Sequence, residues 1–319
     1  MNQIVTANAG TAGIILYLEC LFFWAVCYSF LGWVYETILV SVQERRFVNR
    51  GFLNGPLCPI YGTGAVVAIV VLTPLKDTPM SLVTMFLLGA VGASVLEYVT
   101  SWVMEKAFHA RWWDYSHFRF NINGRICLIG AIIFGVFGVL IVDVAQPWVE
   151  QWTAMIPLPL FHTIIAVLMV TILVDFLITV IGLSGFARRL AEFSQILEHS
   201  RDIIRERLGD YALDPIEALQ RYSDAAAGRL QSYKGAAADR MRDLADNLPD
   251  LPGLVTRVQG ISRLYDTLTN ALNAQQKRMI RSFPRMTSVD YGETIKQLRE
   301  MLNRNDRKHD DRDRCDNDR

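Results

Sequence analysis

Several patterns that would point to common functions are missing from this sequence. Its five cysteines include no C-x-x-C pair and no spacing typical of zinc, so we expect neither a zinc site nor a disulfide framework. No G-x-x-x-x-G-K-S/T phosphate-binding loop occurs, so any ATP hydrolysis would need a separate ATPase subunit. The formal net charge is zero, and we predict no cofactor, no metal and no nucleic-acid partner.

Charged residues are also scarce over the first 185 or so residues, whereas the chain after Arg188 is rich in Arg, Asp, Glu and Ala. Apolar residues make up 51% of the 319, and their long runs lie in the first part. A membrane-spanning helix needs about 20 mostly apolar residues. Five stretches qualify as predicted spans: residues 13–41, 58–75, 81–105, 126–146 and 160–184.

These stretches predict an all-α fold, a polytopic membrane helical bundle with five transmembrane helices and a C-terminal cytoplasmic helical domain. The predicted transmembrane domain covers residues 1–185, the cytoplasmic helical domain residues 186–303, and a charged, disordered tail residues 304–319. Apolar residues spaced three, four or seven apart continue span five as an amphipathic helix. Further helices are predicted over about 214–247, 254–281 and 290–302.

Basic residues in the short loops predict the orientation of the bundle. They cluster between spans one and two, between spans three and four, and directly after span five. All three clusters can be cytoplasmic at once, which places the N-terminus outside the cell and the C-terminus in the cytoplasm. The first span lacks a basic leading region, so we expect a membrane helix and not a cleaved signal peptide. The clusters are Arg45, Arg46 and Arg50; Lys106, Arg111, Arg119 and Arg125; and Arg188 and Arg189.

Two glutamates fall inside the predicted spans. Glu36 and Glu97 each precede the cytoplasmic end of their span by about two turns, or roughly 10 Å at 1.5 Å per residue. An ionised carboxylate at the centre of a membrane costs about 3 kcal/mol, so each should face the bundle interior and find a partner. Arg50 and Arg125 are the natural counter-charges. Nearby asparagines could complete the hydrogen bonds: Asn49, Asn54, Asn121 and Asn123.

The stretch NRGFLNGPLCPIYG, residues 49–62, leads into span two without a helical or strand pattern. Asn-Gly and Gly-Pro pairs form turns, and Pro56 and Pro59 cannot donate a hydrogen bond within a helix. Irregular backbone at membrane depth needs protein or a water-filled cavity to satisfy its polar groups. We therefore interpret the stretch as the floor of a polar cavity, with a solvated cytoplasmic turn as the alternative.

The two halves of the bundle show a possible internal repeat. Span one carries Gly32 and Glu36 and is followed by a basic loop and N-G-P-L-C; span three carries Gly92 and Glu97 and is followed by a longer loop and N-G-R-I-C. A duplication would relate the two units by an axis along the membrane normal. Chance matching of short, common residues is the alternative.

Other polar residues have simpler interpretations. Asp114 lies among three arginines, and we expect it to order its loop. His109 and His117 are eight residues apart and do not share a helical face, which favours loop histidines over a metal site. Asp175 lies deep in span five without an obvious local partner. It could join the glutamates and arginines, or be a protonated, hydrogen-bonded carboxyl.

Four motifs resemble those of one known family. The segments GWVYET, NRGFLNGPLCPIYG, LEYVTSWVMEKAFHARWWDYS and FNINGRICL occur in the family's order within residues 28–135. They resemble the CmpB-like, type IV family of ABC-transporter permeases. The resemblance implies a multi-span transport permease without an established substrate, and the long cytoplasmic extension departs from the family pattern. The family-motif residues are Glu36, Asn49, Arg50, Asn54, Glu97, Trp113, Asp114, Tyr115, Asn123 and Arg125.

All of these except Trp113 form the predicted substrate-binding set. In a permease, Arg50 and Arg125 would bind an anionic group while Glu36 and Glu97 couple protons. An inner-leaflet enzyme would hold a lipid phosphate with the same arginines and use a glutamate as general base. A membrane scaffold would recruit a partner, or a second copy, through its cytoplasmic helices. An opening to lipid would favour the enzyme, and an opening to cytoplasmic water the permease.

Overall fold

A computed structural model describes four stretches of the chain: residues 11–75, 82–208, 270–288 and 290–303. These stretches are almost entirely helical and contain a single two-stranded sheet. The predicted all-α membrane fold is therefore confirmed. The predicted helix over 214–247, most of the helix over 254–281 and the tail over 304–319 lie outside the described residues.

The helices follow the predicted spans closely. A 3₁₀ turn, Thr73–Leu75, extends α2, and a π-helical turn, Ile141–Ala145, joins α4 to α5. A further helical segment covers residues 292–303. The named elements in chain order are α1 (Thr11–Glu44), α2 (Pro59–Leu72), α3 (Leu82–Phe108), β1 (Asn121–Ile122), β2 (Ile126–Cys127), α4 (Leu128–Leu140), α5 (Gln146–Ala154), α6 (Leu158–Leu183), α7 (Phe186–Leu208) and α8 (Ala274–Ser282).

Within the described residues, four helical stretches are long and apolar enough to cross a membrane: Thr11–Glu44, Leu82–Phe108, Leu128–Ala154 and Leu158–Ile196. The second predicted span forms only the shorter apolar helix Pro59–Leu75. Its α-helical part ends at Leu72, just before Pro74, because proline cannot donate the backbone hydrogen bond that continues a helix. The predicted count of five full-length spans is therefore not confirmed, since the described residues contain four long apolar helices and one short one.

The two N-G-x-x-C motifs have the same local role. Cys58 is the N-cap of α2, and Pro59 occupies the first helical position, where a missing N–H is tolerated. Cys127 is the N-cap of α4, and its side chain accepts a hydrogen bond from Gly130 N. Each motif therefore ends a connecting loop and starts the returning helix of a hairpin; we call residues 45–58 the first loop and residues 109–127 the second loop.

Small residues let the helices of each hairpin approach closely. A Cβ atom added to Gly62 on α2 would lie 2.1 Å from the carbonyl oxygen of Ala25 on α1. Gly138 on α4 similarly faces the Cα atom of Gly89 on α3, at 3.4 Å from where a Cβ atom would lie. Close approach of backbones is the usual way in which membrane helices gain packing energy, since lipid provides no hydrophobic drive between them.

Polar contacts also join the helices at the other end of the bundle. Trp24 Nε1 donates to Thr153 Oγ1 at 3.1 Å, and Tyr28 OH donates to Gln146 Oε1 at the same distance. His162 Nδ1 lies 2.8 Å from Glu19 Oε2. These contacts hold α1 against α5 and α6 at the end of the bundle opposite the first and second loops.

The chain divides into two compact units. The first comprises residues 1–187 and 274–295, and the second residues 188–273 and 296–319. Residues 274–295 thus form one compact unit with the long apolar helices. The amphipathic continuation of span five is present as α7, after a break at Ser184 and Gly185, where Gly185 has a φ of +73°.

Candidate functional site

Glu36 on α1 forms the centre of a first polar cluster. Its Oε2 atom accepts a hydrogen bond from Arg50 Nε at 3.2 Å, and its Oε1 atom accepts one from Tyr61 OH at 2.6 Å. The pairing of Glu36 with Arg50 is the one that the sequence predicted. Tyr61, which lies in the first turn of α2, is an additional partner of Glu36.

The guanidinium of Arg50 is held from several sides. Besides Glu36, it donates from Nη1 to the carbonyl oxygen of Ser282 at 2.9 Å. Its Cζ atom lies 4.4 Å from the centre of the Phe283 ring, a cation–π geometry. Arg50 is therefore committed to protein partners.

Glu97 on α3 is the acidic residue of the second cluster and is 6% exposed. Its Oε1 atom accepts a hydrogen bond from Tyr115 OH at 3.0 Å. Burial raises the pKa of Tyr115, and the charges of Glu97 and Glu36 raise it further. Tyr115 hence keeps its proton and acts as a donor. Within the described stretches of the chain, no basic side chain forms an ion pair with Glu97.

The two clusters lie near one another. Tyr61, which donates to Glu36, and Glu97 line one cavity between α2, α3 and α4. The two carboxylates come from different hairpins, so the folded bundle brings together acidic residues that are 61 positions apart (97 − 36) in the sequence.

Arg125 has a different partner from the one expected. Its Nη2 atom lies 3.0 Å from Glu105 Oε2, and Glu105 also pairs with Arg111. Its Nη1 atom donates to Ser101 Oγ at 3.4 Å. Glu105 is eight residues nearer the C-terminal end of α3 than Glu97, which is about 12 Å along a helix. It therefore lies closer to the second loop, which follows α3. The expected counter-charge of Glu97 is thus used by Glu105.

The remaining predicted residues of the second loop order that loop. Asp114 accepts hydrogen bonds from the backbone N and the hydroxyl of Ser116, at 2.9 and 3.0 Å. Asn123, with a φ of +53°, donates to Tyr98 OH at 3.0 Å. Trp113 Nε1 donates to the carbonyl oxygen of Arg125 at 3.1 Å. The hydrogen bonds of these residues thus lie within the second loop or join it to α3.

The predicted asparagines of the first loop fix its irregular backbone. Asn49 Oδ1 accepts hydrogen bonds from Trp33 Nε1 at 2.7 Å and from Gly51 N at 3.0 Å. Asn54 donates from its backbone and its side chain to Asp175 Oδ1, at 2.9 and 2.8 Å. The other oxygen of Asp175 accepts from Gly55 N at 2.8 Å. Asp175 on α6 thus has partners in the first loop.

Residues 274–288, which we call the strap, connect the first loop to the second loop. Arg278 donates from Nη1 to the carbonyl oxygens of Gly51 and Leu53, and from Nη2 to that of Phe52, at 2.8 to 3.0 Å. At its other end, the strap forms an antiparallel bridge in which Thr287 and Arg111 exchange backbone hydrogen bonds of 2.7 and 3.0 Å. Protein groups therefore satisfy the irregular backbone of the first loop.

A mostly apolar cavity of about 160 Å³ lies between α2, α3 and α4. Glu97 and Tyr61 line it, so both clusters reach it. Three other lining residues, Val67, Val71 and Leu88, are more than 40% exposed on the outside of the bundle. On helices of this apolarity an exposed surface faces lipid, so the cavity adjoins the bilayer.

Histidines of the second loop take part in packing. The ring of His117 lies 4.3 Å from that of Phe118, centre to centre, and the carbonyl oxygen of His109 accepts a hydrogen bond from Ser288 Oγ at 2.7 Å. In the part of the chain that the structure describes, no three His, Cys, Asp or Glu side chains are grouped to hold a metal ion.

Sequence reasoning missed three partners in these clusters. Tyr61 and Glu105 lie inside the motifs that carry the family resemblance, so their position was a usable signal. Arg278 lies more than 220 residues from the carbonyls that it binds, and no local pattern points to it.

Comparison with known proteins supports the motif resemblance. Residues 22–180, about half of the chain, match the family described as "Putative ABC-transporter type IV". Comparisons with curated proteins and with solved structures find no match. Together with its long apolar helices, the match identifies the chain as a multi-pass, transporter-like membrane protein that belongs to the ABC-transporter type IV family.

Proposed function

We propose that the chain is the membrane permease of a transporter and that its substrate passes the acidic pair Glu36 and Glu97. The observation that carries this proposal is that Glu97 lines a cavity together with Tyr61, and Tyr61 is the hydrogen-bond donor to Glu36 on the other hairpin. Acidic residues inside a membrane bundle are costly and typically mark a substrate or ion pathway. A separate ATPase subunit would supply the energy, because the chain has no phosphate-binding loop.

The predicted substrate-binding residues take two proposed roles. The first role is interaction with the substrate. We assign it to Glu97, Glu36 and Tyr115, because they form or adjoin the polar end of the cavity. The others would hold the loops in place through the hydrogen bonds described above. These positioning residues are Asn49, Arg50, Asn54, Asp114, Asn123 and Arg125.

The surroundings of the arginines favour this division. Arg50 pairs with Glu36, and Arg125 pairs with Glu105. An arginine that is already bound to a carboxylate is a poor anchor for a phosphate or another anion, because the carboxylate would have to leave first. A substrate site whose key side chains are carboxylates therefore agrees better with the geometry than the anion-binding site considered from the sequence.

A second candidate is an inner-leaflet enzyme that acts on a lipid. The position of Val67, Val71 and Leu88 at the edge of the cavity favours it, since their exposure is towards the bilayer. A permease that admits an amphipathic substrate from the membrane would use the same opening. The two candidates differ in whether the substrate is moved or chemically changed.

The proposed orientation has the N-terminus outside and both inner loops in the cytoplasm. The strap contacts both loops, so a signal from the cytoplasmic helices could reach the acidic pair through it. Self-association through those helices remains part of the proposal.

The test compares cells of the source organism that carry the intact gene, a deletion, or the double variant Glu36→Gln with Glu97→Gln. A matched control is Glu19→Gln, since Glu19 is also a membrane-helix carboxylate but lies at the opposite end of the bundle. Untargeted mass spectrometry would measure small molecules in cells and medium, and lipid extracts in parallel. Protein amounts in the membrane are matched by immunoblotting.

We expect deletion and the double variant to shift the same small molecule between cells and medium at least tenfold, and Glu19→Gln to behave as the intact protein. A double variant that leaves the distribution as in intact cells would contradict the permease. A lipid species that is lost or accumulates without any redistribution would favour the enzyme.

A further inference from the structure

We propose that the cavity between α2, α3 and α4 binds a lipophilic cation, an ammonium group carrying a short apolar chain. This inference rests on the proposed function, because it names the substrate class of the same site. It is based on the apolar walls, the buried carboxylate of Glu97 and the lining side chains that are exposed on the outside of the bundle.

The walls of the cavity suit a small apolar group. Apart from Glu97 and Tyr61, the lining side chains are aliphatic or are phenylalanine rings, and glycines widen the space. A Cβ atom added to Gly92 would meet nothing within 4 Å, so this glycine borders open space. A cavity of about 150 Å³ is known to hold benzene, and the 160 Å³ here therefore suits a comparable group of about six to eight carbon atoms.

The polar end of the cavity favours a positive charge. Glu97 is 94% buried (100 − 6), and Tyr115 is its hydrogen-bond donor. Its second oxygen has no ion-pair partner among the described residues, because Arg125 is bound to Glu105. Glu36 adds a second negative charge nearby, which itself is paired with Arg50. A cation that reaches Glu97 would gain a strong interaction in a region of low dielectric constant.

The same arrangement disfavours other small amphiphiles. An anionic head group would find no counter-charge at Glu97, and no free guanidinium among the described residues of the two clusters would supply one, since both arginines are paired. A neutral alcohol would fill the walls equally well but would gain only a hydrogen bond. Charge therefore separates the proposed ligand from molecules of the same shape.

Entry from the bilayer fits this ligand class. Val67, Val71 and Leu88 are both lining and exposed, so the cavity adjoins the lipid-facing surface. Lipophilic cations concentrate in the membrane with their apolar parts among the acyl chains. A chain longer than the cavity could remain partly in lipid while its head group reaches Glu97.

The experiment uses the full-length chain in lipid nanodiscs and three radiolabelled probes with the same apolar part: octyltrimethylammonium, octyl sulfate and octanol. Empty nanodiscs give the amount that dissolves in lipid. We expect saturable binding of the cation above this background, at least tenfold weaker binding by Glu97→Gln, and wild-type binding by Glu19→Gln. A second variant, Gly92→Leu, extends into open space, so it should fold normally and lose binding by filling the cavity.

Equal saturable binding of octyl sulfate would overturn the inference, as would unchanged cation binding in Gly92→Leu. Loss of cation binding in both cavity variants, with normal melting temperatures, would support it. Failure here is distinguishable from failure of the permease. If a small molecule is redistributed in a Glu97-dependent way but the cation does not bind, only the proposed ligand class is wrong. If the cation binds in a Glu97-dependent way but no molecule is redistributed, only the proposed transport function is wrong.

Discussion

Gly32 on α1 lies directly against the ring of Tyr61 on α2: a Cβ atom added to the glycine would be 2.3 Å from Tyr61 Cγ. The contact fixes where the tyrosine hydroxyl points, and that hydroxyl donates to Glu36 Oε1 at 2.6 Å. A glycine one turn before the glutamate in the same helix thus sets the geometry of the first cluster.

The first prediction concerns this glycine. Gly32→Ala should push the Tyr61 ring away and weaken its hydrogen bond to Glu36, with a loss of stability of about 1–3 kcal/mol from overpacking. Thermal unfolding in detergent would measure the change. Gly92→Ala is the matched control, because its added methyl group enters open space. Equal melting temperatures for both variants would argue against the contact.

The strap provides the second prediction. Arg278→Gln should free the carbonyls of Gly51, Phe52 and Leu53, since hydrogen bonds from a charged donor contribute about 1.5–3 kcal/mol each. We expect amide hydrogen exchange in residues 49–58 to speed up at least tenfold. The neighbouring, exposed Arg285 gives the control Arg285→Gln. Protection that stays the same in both variants would show that the strap does not hold the loop.

A third prediction compares a buried ion pair with an exposed one. Glu105→Gln removes the partner of Arg125 and Arg111, and leaving a buried charge unpaired costs about 3–5 kcal/mol. Glu192→Gln removes the partner of the exposed Arg189 and should cost less than about 1 kcal/mol. Chemical unfolding in detergent would measure both. Similar losses for the two variants would be inconsistent with a buried role for Glu105.

The fourth prediction concerns the donor to Glu97. Tyr115→Phe removes the hydroxyl while keeping the ring, so the buried carboxylate loses its hydrogen bond at a cost of about 1–3 kcal/mol. Tyr35→Phe is a suitable control, since Tyr35 packs through its ring against Tyr61 and Phe137. The melting temperature should fall for Tyr115→Phe alone. A larger fall for Tyr35→Phe would contradict the assigned hydrogen bond.

Local patterns predicted much of the fold. Apolar runs located the helices to within a few residues, and the pairing of Glu36 with Arg50 followed from depth and loop charge. The second span was shorter than expected because the α-helix ends before Pro74. The prediction for span four stopped at residue 146, but a π-helical turn carries that helix to Ala154.

Contacts between distant residues were beyond the sequence. Asp175 and Asn54 are 121 residues apart, and nothing near Asp175 indicates an asparagine partner. The partner of Arg125 was missed for another reason. The sequence analysis considered Glu97 alone, whereas α3 also carries Glu105, and only the path of the second loop selects Glu105 over Glu97.

The convergence of Glu36 and Glu97 is tested most directly by a double-mutant cycle. Unfolding free energies would be measured for the intact chain, Glu36→Gln, Glu97→Gln and the double variant under identical conditions. Because Tyr61, which donates to Glu36, lines the same cavity as Glu97, we expect the single effects to differ from additivity by at least about 0.5 kcal/mol. Additivity within about 0.3 kcal/mol would mean that the two residues are independent, and it would contradict a shared acidic site.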